Sequence, residues 1–202
     1  MADIPAVSLG GTTFYEDVFN ELNKDRVILL NDDINADIIE KAVIQIIKWN
    51  KEDQNIEVDK RKPIRIYISS CGGEVFVGMT LIDTIRNSKT KIKGFVLDCA
   101  YSMAGIIFAV CHERYMLESS SLLIHDGNMI IAGTANKAKD MQKFYNKVDE
   151  KIKSFIIEHS KITVEEYDAN ADRELYMFAD ECKEKGLCDK IIGIDCGFEE
   201  IY

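Results

Sequence analysis

The sequence predicts an α/β domain in which short β-strands alternate with amphipathic helices around a buried sheet. Three observations carry this. Apolar runs of strand length, at residues 26–30, 64–68 and 92–97, are each followed by a stretch of helical character. Only Pro5 and Pro63 interrupt the chain, and no low-complexity linker or internal repeat divides it. A length of 202 residues suffices for one sizeable core and falls short of what two independent domains need. The expectation is one domain over residues 1–202.

In chain order, residues 26–30 make the first strand, and Ala36, Ile39, Val43, Ile46 and Ile47 then line one face of a helix over 35–49. A charged loop at 51–62 leads to a second strand at 64–68, which runs into Ser69-Ser70-Cys71-Gly72-Gly73 and a helix over 74–86. The third strand, 92–97, precedes a helix that opens at or beside Ser102. Its apolar stretch, 103–111, is far shorter than the about 20 residues a bilayer requires, so it reads as a buried helix. Short strands follow at 114–117 and 121–124. The longest helical pattern, 134–159, sets Met141, Phe144, Tyr145, Val148, Ile152, Phe155 and Ile156 on one side. Such a helix either lies across the domain or projects to meet a partner. A short helix at 180–185, a stop at Gly186 and a strand at 190–194 complete the pattern.

With 47% hydrophobic and 30% charged residues the composition is that of a globular protein. A formal net charge of -10 disfavours nucleic acid, whose phosphates need clustered Lys and Arg, and suits solubility. Residues 1–11 contain Asp3 and lack the basic start and long apolar run of a signal peptide, so a cytoplasmic location away from membranes is expected. The six cysteines show no C-x-x-C spacing, which argues against a zinc knuckle or a thioredoxin-like pair and for reduced thiols.

Two strand-to-helix junctions offer chemistry. Gly72-Gly73 lets a backbone approach a ligand closely, or simply makes a tight turn; a phosphate loop is excluded because no G-K-[ST] follows. Ser102 opens the apolar helix, where a serine serves as an N-cap or, given the positive helix end, as a nucleophile. The G-x-S-x-G elbow is absent, since Ala100 and Ala104 replace its glycines. A serine nucleophile needs a base and an orienting acid. Of the three histidines, His125 ends an apolar strand, whereas His112 and His159 sit in charged helix-end contexts.

Together these residues resemble the Clp protease proteolytic-subunit family, from about residue 14 to residue 194. Ser70-Cys71-Gly72-Gly73 resembles the family's S-P-G-G, and Tyr101-Ser102-Met103-Ala104-Gly105 its A-S-M-G-A. Leu123-Ile124-His125-Asp126-Gly127 resembles M-I-H-Q-P, and Gly186-Leu187-Cys188-Asp189 resembles G-L-V-D. The resemblance implies Ser102 as nucleophile, His125 as general base, and the amides of Gly73 and Met103 as oxyanion hole, with no metal or cofactor. The family's aspartate falls on Glu174, with Asp172 as the fallback acid and Asp126 disfavoured because neighbouring strand residues face opposite ways. Other departures are Cys71 for proline, Ala104 for glycine, Asp98-Cys99 for Gly-Gln, the bulky Tyr101, and a loop after His125 carrying Asn128, Met129, Ile130 and Ile131.

The resemblance further implies a crotonase-like fold of β-β-α superhelix units. Its heptameric rings, stacked as a homo-oligomeric tetradecamer, would assemble through the projecting helix at 134–159, with residues 1–14 at the axial entrance. It implies an ATP-driven AAA+ unfoldase as partner and unfolded proteins as substrates of a serine endopeptidase. Two alternatives are a catalytically silent ring subunit and an acyl-CoA enzyme of the crotonase superfamily.

Overall fold

A computed structural model describes residues 14–127 and 130–202. Five parallel strands form the body of the sheet in the order β1-β2-β3-β4-β7: β1 is Val27–Leu30, β2 Ile64–Ser70, β3 Ile92–Tyr101, β4 Glu113–Leu117 and β7 Lys190–Ile192. In β2, Ile64, Ile66 and Ile68 point inward and are wholly buried, worth about 1.5–3 kcal/mol each. The π-helical turn Ile39–Val43, the helix α2 (Ile44–Glu52), α3 (Val75–Asn87) and α4 (Met103–Ala109) supply residues to the same core. All seven residues of α4 are buried, as expected of the apolar stretch at 103–111. Trp49 of α2, the chain's one tryptophan, is also in this core.

Strand β3 is longer than its apolar run suggests and changes neighbour along its length. Residues 93–96 pair with β4, whereas Cys99, Ala100 and Tyr101 pair with β5 (Ser121–His125). Between the two lies a bulge: β2 advances from Ile68 to Ser70 while β3 advances from Val96 to Ala100. A bulge re-aims the strand that carries it. Here it sends the end of β3 towards β5, which in turn pairs antiparallel with β6 (Glu174–Phe178).

Arg26 and Asp53 hold α2 to the sheet's edge. The guanidinium donates to both carboxylate oxygens at 2.6 and 2.8 Å, and Thr90 adds a third donor at 2.7 Å. That ring of donors keeps the buried Asp53 carboxyl below the usual carboxylate range, the Arg26 hydrogen bond being the largest cause.

Several boundaries differ from expectation. The helix expected at 35–49 is a π-turn followed by α2, and the final strand stops at Ile192. Helices α1 (Phe14–Lys24), α6 (Val164–Ala169) and strand β6 have no counterpart in the sequence reading. The long helix α5 runs Ala135–Glu158, about 36 Å at 1.5 Å per residue. Its buried residues, Val148, Phe155 and Ile156, all lie in its second half. The axial segment expected at 1–14 lies outside the described residues except for Phe14, as do Asn128 and Met129. Among the described residues no helix is long and apolar enough to cross a membrane.

Candidate active site

Ser102 stands where β3 ends and α4 begins, with φ 53° and ψ -125°. A non-glycine residue at positive φ is strained, and such strain is characteristic of a nucleophile displayed on a sharp strand-to-helix turn. The turn exists without the glycines of G-x-S-x-G because room is made elsewhere. A Cβ on Gly72 would lie 2.8 Å from the Ser102 Cβ, and one on Gly105 would lie 2.9 Å from the Ala100 carbonyl oxygen. Ser102 occupies the N-cap position, yet its hydroxyl makes no capping hydrogen bond. Its backbone is anchored instead: its N–H donates to the Leu123 carbonyl at 2.9 Å and its carbonyl accepts from Ile106.

The glycine loop abuts the first turn of α4. A Cβ on Gly72 would approach the Met103 nitrogen to 3.1 Å. Met103 is the first residue of α4, where an N–H has no intrahelical acceptor. Its side chain is buried across α3, on the bare Cα of Gly78. Gly73 bridges Ile34 through its neighbours: the Gly72 carbonyl accepts from Ile34 at 2.8 Å and Glu74 donates to Ile34 at 2.7 Å. A parallel bridge of this kind leaves the Gly73 N–H itself uncommitted. The Met103 N–H thus opens α4 directly after Ser102, and Gly73 follows the Gly72 that packs on the Ser102 Cβ.

The base and acid come from β5 and β6. His125 ends β5, half-buried, two residues beyond Leu123, the register partner of Tyr101. In the antiparallel ladder His125 lies directly opposite Glu174, and Leu123 opposite Tyr176. Directly opposed residues share a face, so Glu174 and His125 project to the same side. The Glu174 carboxylate lies near the Tyr176 hydroxyl and is the first cause that pushes it above its ordinary pKa. Tyr176 meets Tyr101 edge to face, with ring centroids 5.7 Å apart, and the Tyr101 hydroxyl lies 2.9 Å from Ser121 Oγ. Among the described residues no hydrogen bond joins Ser102 to His125 or His125 to Glu174; catalytic contacts of this kind are often long before substrate binds.

Asp172 precedes β6 in a positive-φ turn, φ 59°, outside the paired register, and its N–H donates to Asp126 Oδ2 at 2.8 Å. The Asp126 carboxylate thereby engages the β6 turn, and its charge acts on Tyr167 and Asp149. His112 and His159 serve backbone roles: His112 Nδ1 accepts from the Ile92 N–H at 2.9 Å, and His159 Nδ1 pairs with the Phe155 carbonyl. Among the described residues no group of His, Cys, Asp and Glu is arranged to hold a metal ion.

Beside the glycine loop opens a cleft of about 810 Å³, between the loop and α5, walled by Ile34, Phe76, Tyr145, Val148 and Ile152. Gly73 stands on its rim, so an apolar group seated there lies next to the glycine loop. A second cleft of about 720 Å³ between α2 and α3 contains none of these site residues. Tyr101 and Tyr176 are the contributors that the sequence reading missed. Tyr101 registered only as a bulky residue before the nucleophile, and Tyr176 had no signal because its strand went unread.

Comparison with known proteins gives the family. The family model of Clp protease matches residues 10–195. The ATP-dependent Clp protease proteolytic subunit 2 of Bacillus licheniformis is 31% identical over 181 residues, covering 87% of this chain and 90% of that protein. The like-named subunit of Corynebacterium glutamicum is 28% identical, covering 95% and 94%, and that of Corynebacterium efficiens is 28% identical, covering 90% and 89%. The acyl-CoA alternative therefore falls away, and the chain belongs to the Clp protease family.

Proposed function

We propose that this Clp protease chain is a serine endopeptidase with Ser102 as nucleophile. The observation that carries the reading is the strained turn at Ser102, whose hydroxyl caps nothing and whose Cβ lies against the glycine loop at the start of α4. His125 takes the Ser102 proton as Oγ bonds to the peptide carbonyl carbon. The Gly73 and Met103 amides receive the oxyanion. His125 returns the proton to the leaving amine as the C–N bond breaks. Water, deprotonated by His125, then cleaves the ester and frees Ser102. Glu174 keeps the imidazole in the required tautomer, its extra methylene relative to aspartate bridging the distance from β6.

The rings, the tetradecamer and the AAA+ unfoldase belong to this proposal. They are supported by the relatives' description as ATP-dependent proteolytic subunits and by the exposure of α5 before Val148, where half-exposed Phe144 stacks on Phe76 at 6.0 Å. ATP would be consumed by the unfoldase, substrates would be unfolded polypeptides, and the compartment would be the cytoplasm. A second reading, a silent ring subunit, is favoured by one observation: the Glu174 carboxylate acts on the Tyr176 hydroxyl, which competes with His125 for it.

Labelling with a fluorophosphonate serine probe, read by intact mass, separates the two. One adduct on the wild type and none on Ser102→Ala is expected. An assembled ring with no adduct on the wild type would establish the silent subunit instead.

A further inference from the structure

We infer that Tyr101, the residue before the proposed nucleophile, is a positioning residue, a role that rests on the peptidase reading. Its side chain fastens the end of β3 to β5 and β6 at once and so fixes Ser102 against His125 and Glu174.

The register sets three residues in a row across the strands. Tyr101 of β3 is the partner of Leu123 on β5, and Leu123 is the partner of Tyr176 on β6. Partners share a face of the sheet, and so do residues two apart on one strand. Ser121, His125 and Glu174 therefore lie on the face of Tyr101 and Tyr176, with the His125–Glu174 pair in the next row. Two strand spacings, about 9–10 Å, separate β3 from β6. The tyrosine rings close that gap above Leu123, which is buried, and meet edge to face with centroids 5.7 Å apart. The Tyr101 hydroxyl shares a hydrogen bond of 2.9 Å with Ser121 Oγ, one row back on β5. One side chain thus contacts both strands that carry the base and the acid.

Little else ties the arm to β3. The β3–β5 ladder covers only Cys99, Ala100 and Tyr101, and β6 buries Met177 alone. Tyr101 is half-buried and Tyr176 is 53% exposed, so the pair adds little to the core. Ser102 sits at φ 53°, and a strained backbone persists only where its surroundings over-determine it. The peptide entering that turn is held from both ends, by the Tyr101 side chain and by the Ser102 N–H on the Leu123 carbonyl. Glutamate has one more rotatable bond to fix than aspartate, so an acid at Glu174 needs a firmly placed strand beneath it. The bulk of Tyr101, where the family motif has alanine, supplies that placement.

The test compares Tyr101→Ala, Tyr101→Phe, Tyr176→Leu and the Tyr101→Ala/Tyr176→Leu double variant in the full chain. Hydrolysis of a short peptide and the rate of fluorophosphonate labelling are measured per folded molecule. Tyr101→Ala is expected to lower kcat and the labelling rate about 10²-fold, the cost of a misplacement of about 1 Å, with KM unchanged. Tyr101→Phe keeps the ring contact and loses only the Ser121 bond, so it should stay within about tenfold of wild type. The double variant should be no slower than Tyr101→Ala, because both changes break one contact. A raised KM at wild-type kcat would overturn the positioning role and make Tyr101 a wall of the substrate site. Losses that multiply in the double variant would overturn the ring contact as the link. Should Tyr101→Ala not fold, Tyr101→Leu takes its place in the same comparison. Hydrogen exchange of the amides of residues 121–125 and 174–178 reads the fastening without activity. Tyr101→Ala should speed it about tenfold or more, and unchanged exchange would overturn the fastening. If the wild type takes no label at all, the peptidase reading has failed, and exchange alone decides whether Tyr101 holds the arm.

Discussion

The body of the sheet and the β5–β6 arm share strand β3 but differ in how deeply they are buried. In the body, β2 places Ile64, Ile66 and Ile68 out of all contact with solvent, beneath helices. In the arm, β6 buries only Met177, while Tyr176 and Phe178 remain more than half exposed. The residues proposed for catalysis lie along the seam and on the arm. Stability is thus concentrated in one region and the site's geometry in the other, and a substitution should move one property with little effect on the other.

The sharpest break of that separation is at Glu174. Glu174→Gln is expected to slow peptide hydrolysis about a thousandfold or more, by analogy with loss of a triad acid, while the unfolding free energy in urea stays within about 0.5 kcal/mol. Asp172→Asn should leave the rate unchanged; equal losses at both positions would show that the acid is not localised in Glu174. The converse variant is Asp53→Ala, which strips the Arg26 guanidinium and Thr90 of their shared acceptor. A loss of about 3–5 kcal/mol in urea denaturation is expected, with labelling per folded molecule unaltered.

The smallest effect is a pH dependence of the body alone. His112 accepts from Ile92 only when its Nδ1 is unprotonated, and burial, then Lys91, lowers its pKa from 6.5. A depressed histidine contributes stability fully present above 6.5 and lost as pH falls through the lowered value. Asp53, also depressed, acts further down: its contribution is present above 3.8 and lost as pH falls below. Thermal midpoints of wild type and His112→Phe should therefore diverge on acidification below neutrality, and parallel curves would remove His112 from the account.

The body was legible in sequence because its strands are apolar runs and its helices periodic, as at 64–68 and 103–111. The arm was not. Strand β6 reads Glu-Leu-Tyr-Met-Phe, an apolar run whose alternate members are exposed, so its period was masked. Strand β3 was cut short at Leu97 because the bulge residues Asp98 and Cys99 interrupt its apolar pattern while the backbone continues. Ser102 and His125 were singled out through the resemblance more than through their own surroundings. The elbow at Ser102 was hidden because Gly72, which makes its room, is thirty residues upstream. Glu174 was reached by counting from Gly186, without knowledge of the strand that sets it opposite His125.

Trp49 has a practical bearing on any optical measurement. As the chain's one tryptophan, wholly within the body core, its emission reports the packing of that region and says nothing directly of the arm. Fluorescence during refolding would plateau once α2 is seated, whether or not β6 had docked. An arm that loosened first would pass unseen, and a sample with native fluorescence and no catalytic competence would look folded by every spectroscopic criterion an experimenter is apt to try first.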